Sequence, residues 1–263
     1  MNFKCTNKKE FTNGIVYGLK TADGYPIETT DTFLPYYTKF ATGIHSNTLK
    51  DDYVADRHSR WMIGVSTQSG CICKCKFCAT SVLKKFRNLS SLEIVSQVLF
   101  IIKNNPGYNP LQSKEFKINY TRMGEPFLNI KNIKNAIKVI SEIYPNVHHY
   151  VSTIGIKDSD FSWIKDNITL QISLHSLDES RRNILIPYKN KMTIEELGQV
   201  RTGSKLKTTV NLTLVDEKDW DVHLLRKWFD PEFFFIKLSP INVNTISDKN
   251  ELGAGIILGR NLV

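Results

Sequence analysis

Residues 66–80 read Ser-Thr-Gln-Ser-Gly-Cys-Ile-Cys-Lys-Cys-Lys-Phe-Cys-Ala-Thr and hold four of the five cysteines of the chain. Cys71, Cys75 and Cys78 are spaced Cys-x3-Cys-x2-Cys. Thiolates crowded into so short a loop can converge on one metal centre, which scattered thiols cannot. A structural zinc site takes four ligands. Cys73 could be the fourth, but alternate cysteines in a tight loop reach a common tetrahedral site poorly. Iron–sulfur clusters are also held by closely spaced cysteines, and three protein ligands leave one iron open to chemistry. Spacing alone favours iron–sulfur over zinc and leaves both open, including a zinc site completed by a distant histidine.

A chain of 263 residues, 41% apolar and 23% charged, has the composition of a soluble globular protein with one large domain or two small ones. No apolar run approaches the ~20 residues that span a bilayer. The start, Met1-Asn2-Phe3-Lys4-Cys5, lacks an apolar signal region. A cytoplasmic protein with no membrane partner is therefore expected. In that reducing compartment clustered cysteines point to metal ligation rather than disulfides. The net charge of +9 suits a polyanionic partner, and Lys74, Lys76, Lys84, Lys85 and Arg87 gather around the cysteine loop.

Two β-prone runs flank Asp23-Gly24, which predicts a hairpin over residues 14–35. Residues 37–58 carry no period and predict a long connection. Beyond Arg60 strands and helices alternate. Strands are expected over residues 61–67, 116–123, 149–155, 169–176, 208–215 and 233–238. Helices are expected from the Ser90 cap onward, over 130–143 and 158–165, from Thr193 onward and over 219–229. Some six strand–helix units predict an α/β fold with a parallel sheet, a partial (β/α)6 barrel behind a small N-terminal β extension. The expected organisation is an extension and insert over 1–58, a core barrel over 59–245 and a tail over 246–263. In such folds the working groups sit at the carboxyl ends of strands. The cysteine loop, Gly124-Glu125-Pro126, Ser152-Thr153, Ser173 to His175 and Asn242 all follow or finish expected strands.

With aromatic Phe77 before its last cysteine, the loop resembles the cluster motif of the radical S-adenosylmethionine (SAM) superfamily. Within that superfamily the chain is similar to the RNA-adenine C-methylating enzymes that modify rRNA and tRNA. The likeness runs in order through Asp23-Gly24-Tyr25-Pro26-Ile27-Glu28-Thr29, Val65-Ser66-Thr67-Gln68-Ser69-Gly70-Cys71 and Phe86-Arg87-Asn88-Leu89. It continues through Met123-Gly124-Glu125-Pro126-Phe127-Leu128-Asn129, Val151-Ser152-Thr153-Ile154-Gly155 and Ile172-Ser173-Leu174-His175-Ser176. The resemblance implies a [4Fe-4S] cluster on Cys71, Cys75 and Cys78. SAM would bind the open iron and be cleaved reductively to methionine and a 5′-deoxyadenosyl radical. It implies SAM contacts from Gly124, Glu125, Ser152, Ser173, Leu174, His175 and Asn242, with Phe77 packed beside the cluster and Glu28 as a proton acceptor. It further implies a reductase or flavodoxin-type electron donor and an RNA or nucleotide substrate. The oligomeric state is left open.

The sequence departs from the methylating members in four places. Their cysteine seven residues before the first cluster cysteine is Gly64 here, and no cysteine follows Cys78 to match their methyl carrier. Their N-terminal helical RNA-binding domain is expected to be lacking, since the hairpin begins within the first 20 residues. Tyr120, Thr121 and Arg122 stand where a small apolar run is usual. Hydrogen-atom abstraction without the two-cysteine transfer is the simplest expectation. RNA methylation through Cys5, Cys73 or a partner's thiol, and a non-catalytic cluster- and SAM-binding protein, are the alternatives.

Overall fold

A computed structural model describes residues 3–34, 56–214, 219–241 and 244–252. In chain order the elements are β1 (Lys4–Phe11), β2 (Gly14–Lys20), β3 (Pro26–Phe33), β4 (Arg60–Gly64), β5 (Gln68–Ser69), β6 (Arg87–Asn88), α1 (Ser91–Lys103), β7 (Glu115–Tyr120) and α2 (Ile130–Ile143). There follow β8 (Val147–Thr153), β9 (Ile168–Ser173), α3 (Glu179–Leu185), α4 (Ile194–Gly198), β10 (Thr208–Leu214), α5 (Val222–Trp228), β11 (Phe234–Pro240) and α6 (Thr245–Lys249). The architecture is mixed α/β with a large parallel sheet component: β4 pairs with β7, β9 with β10 and β10 with β11, all parallel. Two compact units emerge. One comprises residues 1–66, 89–122 and 131–149, the other 67–88, 123–130 and 150–263.

In the first unit β1, β2, β3 and β4 are antiparallel neighbours, and β7 lies parallel to β4. The expected hairpin is β2–β3, turned at Gly24 with φ +82°. β1 was not expected from the sequence, because KCTNKKEF is exposed along its whole length and carries no apolar alternation. Trp61, Ile63, Phe116 and Ile118 are buried on the paired β4 and β7. The helix begun by Ser90 is α1, closed by a full capping box with Glu93. Ile133, Ala136, Ile137 and Ile140 form the buried stripe of α2.

In the second unit β9, β10 and β11 run side by side, with Leu170, Ile172, Val210 and Leu212 buried. Thr193 opens α4 with a capping box, as its sequence suggests. The helix expected over 158–165 does not form. Asp158 takes φ +59°, and the Asp160 carboxylate accepts the Ser162 N–H at 2.8 Å, so a turn replaces the first helical bond. The expected connection over 37–58 lies largely outside the described residues, and the tail beyond Leu252 lies wholly outside them.

Candidate cluster and cofactor site

Local chemistry closes the cysteine loop before any ligand enters. β5 and β6 pair antiparallel, Gln68 opposite Asn88 and Ser69 opposite Arg87, so residues 70–86 form a noose. The Gln68 amide donates to Asn88 Oδ1 at 2.7 Å across its neck. Gly70 turns the chain with φ +76°, where a Cβ would stand 2.5 Å from Lys85 O. Within the loop Lys74 takes φ +51° and its ammonium donates to Ser81 O and Leu83 O at 3.0 and 2.6 Å. Cys78 N–H donates to Cys75 O at 3.2 Å and Ser81 N–H to Cys78 O at 3.0 Å. Outside it, Leu185 O accepts Lys76 N–H at 2.9 Å, Asn250 donates to Lys76 O at 2.9 Å and Asn244 donates to Phe77 O at 3.0 Å.

Cys71, Cys75 and Cys78 are half-buried and Cys73 is buried. Hydrogen bonding from the Cys73 thiol lowers the Cys71 pKa, and the same bond, with burial, pushes Cys73 up. Burial raises Cys75, reinforced by Cys78 and Cys71. Among the described residues no three His, Cys, Asp or Glu side chains already stand together as a metal-holding group. The donor set nonetheless fits a soft metal cluster, being three sulfurs within eight residues on a loop fastened at both ends. A buried guanidinium nitrogen, Nε of Arg182 on α3, finds no hydrogen-bond partner among the described residues.

The Gly124-Glu125 turn lies in the same unit as the loop. Gly124 has φ +103°, and a Cβ would lie 2.7 Å from Gln68 N and from Thr67 Oγ1, so only glycine fits. The Glu125 N–H donates to Gln68 Oε1 at 2.9 Å. Its carboxylate accepts Phe127 N–H and Ile154 N–H, both at 3.0 Å. Burial raises the Glu125 pKa to about 7, against the opposing hydrogen bonds from Thr153, Ile154 and Phe127. Asn129 ties this turn to the loop by donating to Thr67 O at 2.8 Å.

Ser152 donates to Gln171 Oε1 at 3.0 Å on neighbouring strands, and half-buried Ser173 ends β9 opposite Asn211. Leu174 is fully buried. His175 takes φ +66°, a left-handed conformation costing a side-chain-bearing residue roughly 1–2 kcal/mol. Its Nδ1 accepts Thr213 N–H at 3.3 Å, which leaves the proton on Nε2 of the neutral ring. Burial, helped by the Arg182 charge, lowers its pKa to about 3, so it stays neutral at physiological pH. The His175 ring meets Phe77 edge to face, centroids 4.6 Å apart. Phe77 is thus held by His175 on its ring and by Asn244 on its carbonyl.

The second unit therefore brings Cys71, Cys75, Cys78, Phe77, Gly124, Glu125, Ser152, Ser173, Leu174 and His175 onto one body. Asn242 lies outside the described residues. Glu28 belongs to the first unit, where its carboxylate is ion-paired with Arg122 and its backbone bonds both ways with Ser66 Oγ. At Gly64 a Cβ would overlap Thr30 Oγ1 and lie 3.0 and 3.2 Å from Cδ and Cγ of Arg122. Sequence reasoning missed the structural parts of Gln68, Asn129 and Asn244. It also missed Arg182, which reads on α3 as one more surface arginine. Gln68 and Asn129 sat inside the matching motifs, and Arg182 carried no signal.

No family profile matches the chain. Among curated proteins it is 29% identical over 203 residues, 74% of this chain and 56% of the relative, to a probable dual-specificity RNA methyltransferase RlmN of Chlorobium phaeobacteroides. It is 32% identical over 191 residues, 71% of this chain and 52% of the relative, to the probable enzyme of the same name from Koribacter versatilis. Among solved structures, a radical SAM methyltransferase from Sphaerobacter thermophilus superposes with a TM-score of 0.65 at 22% identity, covering 92% of this chain and 67% of that one. That last likeness speaks to the fold. The chain spans about half the length of the curated relatives it matches. With the cysteine loop, the Gly-Glu turn and the strand-end serines in one order, the chain is a relative of the dual-specificity RNA methyltransferases of the radical SAM superfamily.

Proposed function

We propose that this chain is a radical SAM enzyme acting on an RNA or nucleotide substrate, with its strands curved as a partial (β/α)6 barrel. The reading rests on one observation above others: the three-cysteine loop and the buried Gly124-Glu125 turn are tied together through Gln68. Cys71, Cys75 and Cys78 would hold a [4Fe-4S] cluster, which when loaded supplies the electron that cleaves SAM to methionine and a 5′-deoxyadenosyl radical.

The remaining work belongs to side chains. Gly124 seats the turn against Thr67 and Gln68 and so sets where the Glu125 carboxylate stands. Glu125 offers a buried carboxylate to the ammonium of SAM, which would draw its pKa back down and fix it ionised. Ser152, Ser173, Leu174, His175 and Asn242 complete the SAM contacts of this reading, His175 as a neutral ring. Phe77 shields the loop from water, which a strong reductant and a radical both require. A flavodoxin-type donor in a cytoplasmic setting would supply the electron. Glu28 serves as a proton acceptor only when released from Arg122.

The relatives favour a second reading, RNA adenine methylation with a carrier thiol from Cys5, Cys73 or a partner. Cys5 is exposed on β1 and Cys73 is 2% exposed, so Cys5 is the more accessible carrier. Anaerobic reconstitution with iron, sulfide, dithionite and SAM tests both. Formation of 5′-deoxyadenosine, lost in Cys75→Ala, supports the main reading; its absence from a cluster-loaded protein refutes it. Methyl label passing from SAM into RNA, and lost in Cys5→Ala, establishes the second.

A further inference from the structure

Arg182 is fully buried on α3. Its two terminal nitrogens donate to Met192 O and Ile154 O, each at 2.7 Å, while Nε is buried without a partner among the described residues. The acid beside it, Glu179, lies 3.5 Å away with 41% of its side chain exposed. A carboxylate so wet offsets a buried charge poorly. A second cation lies near. Lys191 is 7% exposed, and its ammonium donates to Asn183 Oδ1 at 2.5 Å and Tyr188 O at 3.2 Å, both neutral acceptors. Burial disfavours the charge on each cation, and the Arg182 charge further disfavours that on Lys191.

Burying a charge that is incompletely neutralised costs several kcal/mol, so two cations sharing one exposed carboxylate favour a further anion beside them. Glu179 is the first anion to favour their charged forms, and a thiolate at Cys75 is the second. The contact is also mechanical: Lys76, next to Cys75, donates its N–H to Leu185 O at the end of α3. A four-iron cluster on three thiolates is anionic in both redox states and gains one more negative charge on reduction. Orphan donor, excess positive charge and cysteine loop all meet at α3.

Resting on the cluster reading above, we propose that Arg182, backed by Lys191, is the counter-charge of a cluster held by Cys71, Cys75 and Cys78 and raises its reduction potential. Arg182 is a positioning residue here and touches no substrate. A fixed positive charge stabilises the reduced, more negative state, so removing it makes reduction harder. The test is a potentiometric titration, followed by electron paramagnetic resonance, of the anaerobically reconstituted protein and its variants. For Arg182→Met the reduction equilibrium is expected to fall at least tenfold, a midpoint about 59 mV lower for one electron. Arg182→Lys, which keeps the charge, is expected to stay within threefold of the parent. Lys191→Gln is expected to shift in the same direction by about threefold. A cluster-loaded Arg182→Met protein with the parental midpoint overturns the proposal and leaves Arg182 a structural clasp for two carbonyls. If Arg182→Met does not fold, Lys191→Gln decides, and an unshifted midpoint overturns it. Failure of the parent to take up a cluster defeats the cluster reading itself, and with it this inference.

Discussion

Replacing Glu125 with glutamine isolates the cost of keeping a carboxyl group in a dry turn. Glu125 is 4% exposed, and burial raises its pKa from 4.5 to about 7. At about 1.36 kcal/mol per pH unit this is about 3 kcal/mol between the protonated and ionised forms. The sign follows from proton binding. Between pH 4.5 and about 7 the folded chain holds the proton more tightly than the unfolded chain. Its contribution is therefore fully present below pH 4.5 and lost as pH rises through 7. His149 and His175, both lowered to about 3 by burial, act oppositely, losing stability as pH falls below 6.5. The difference between parent and Glu125→Gln cancels them. Glutamine cannot accept both N–H groups that the carboxylate accepts, so the variant carries a pH-independent penalty of about 1–3 kcal/mol. Urea unfolding of cluster-free protein from pH 5 to pH 8.5 is the assay. Relative to the variant, the parent is expected to lose about 3 kcal/mol over that range, a midpoint shift of about 1 M urea at a slope of about 3 kcal/mol per M. Parallel pH profiles for the two proteins would refute the assignment of a buried, raised carboxyl to this turn.

Gly64→Cys is expected to destabilise the protein by about 1–3 kcal/mol, because the new Cβ overlaps Thr30 Oγ1, and Thr30→Ala should recover most of that loss in a double-mutant cycle. Gly124→Ala meets both a positive φ and backbone at 2.7 Å; SAM affinity measured calorimetrically should fall at least tenfold, and parental affinity would show that this turn is not the contact. Cys73→Ala should still load iron and sulfide to the parental stoichiometry, whereas Cys71→Ala, Cys75→Ala and Cys78→Ala should not; loss of loading in Cys73→Ala would make Cys73 a ligand.

Features fixed by neighbours in sequence were legible before the structure. The Asp23-Gly24 hairpin, the capping boxes at Ser90 and Thr193 and the full span of α2 all depend on contacts within a few residues. β1 was not legible, since an exposed, lysine-rich strand exists by pairing with β2 and not by its own pattern. The helix expected over 158–165 lost to Asp160 side-chain bonding, a competition that apolar periodicity does not register. The chemistry divided along the same line. The cysteine spacing and the Gly-Glu turn could be read as strings. The Arg122–Glu28 pair, 94 positions apart in the chain, and the burial of Arg182 arise only when distant segments meet.

The amides of Asn244 and Asn250 clasp the carbonyls of Phe77 and Lys76, across 167 and 174 positions of chain. On a ribosome adding roughly 5–20 residues per second, that separation is a wait of roughly 8–35 s. Throughout the wait the cysteines exist as nascent chain without their last two fastenings. Were iron and sulfur loaded into this loop, its fully fastened form would be on offer only after the strand that ends at Pro240 had been made. An earlier delivery would put metal on thiols whose shield, Phe77, is not yet in place.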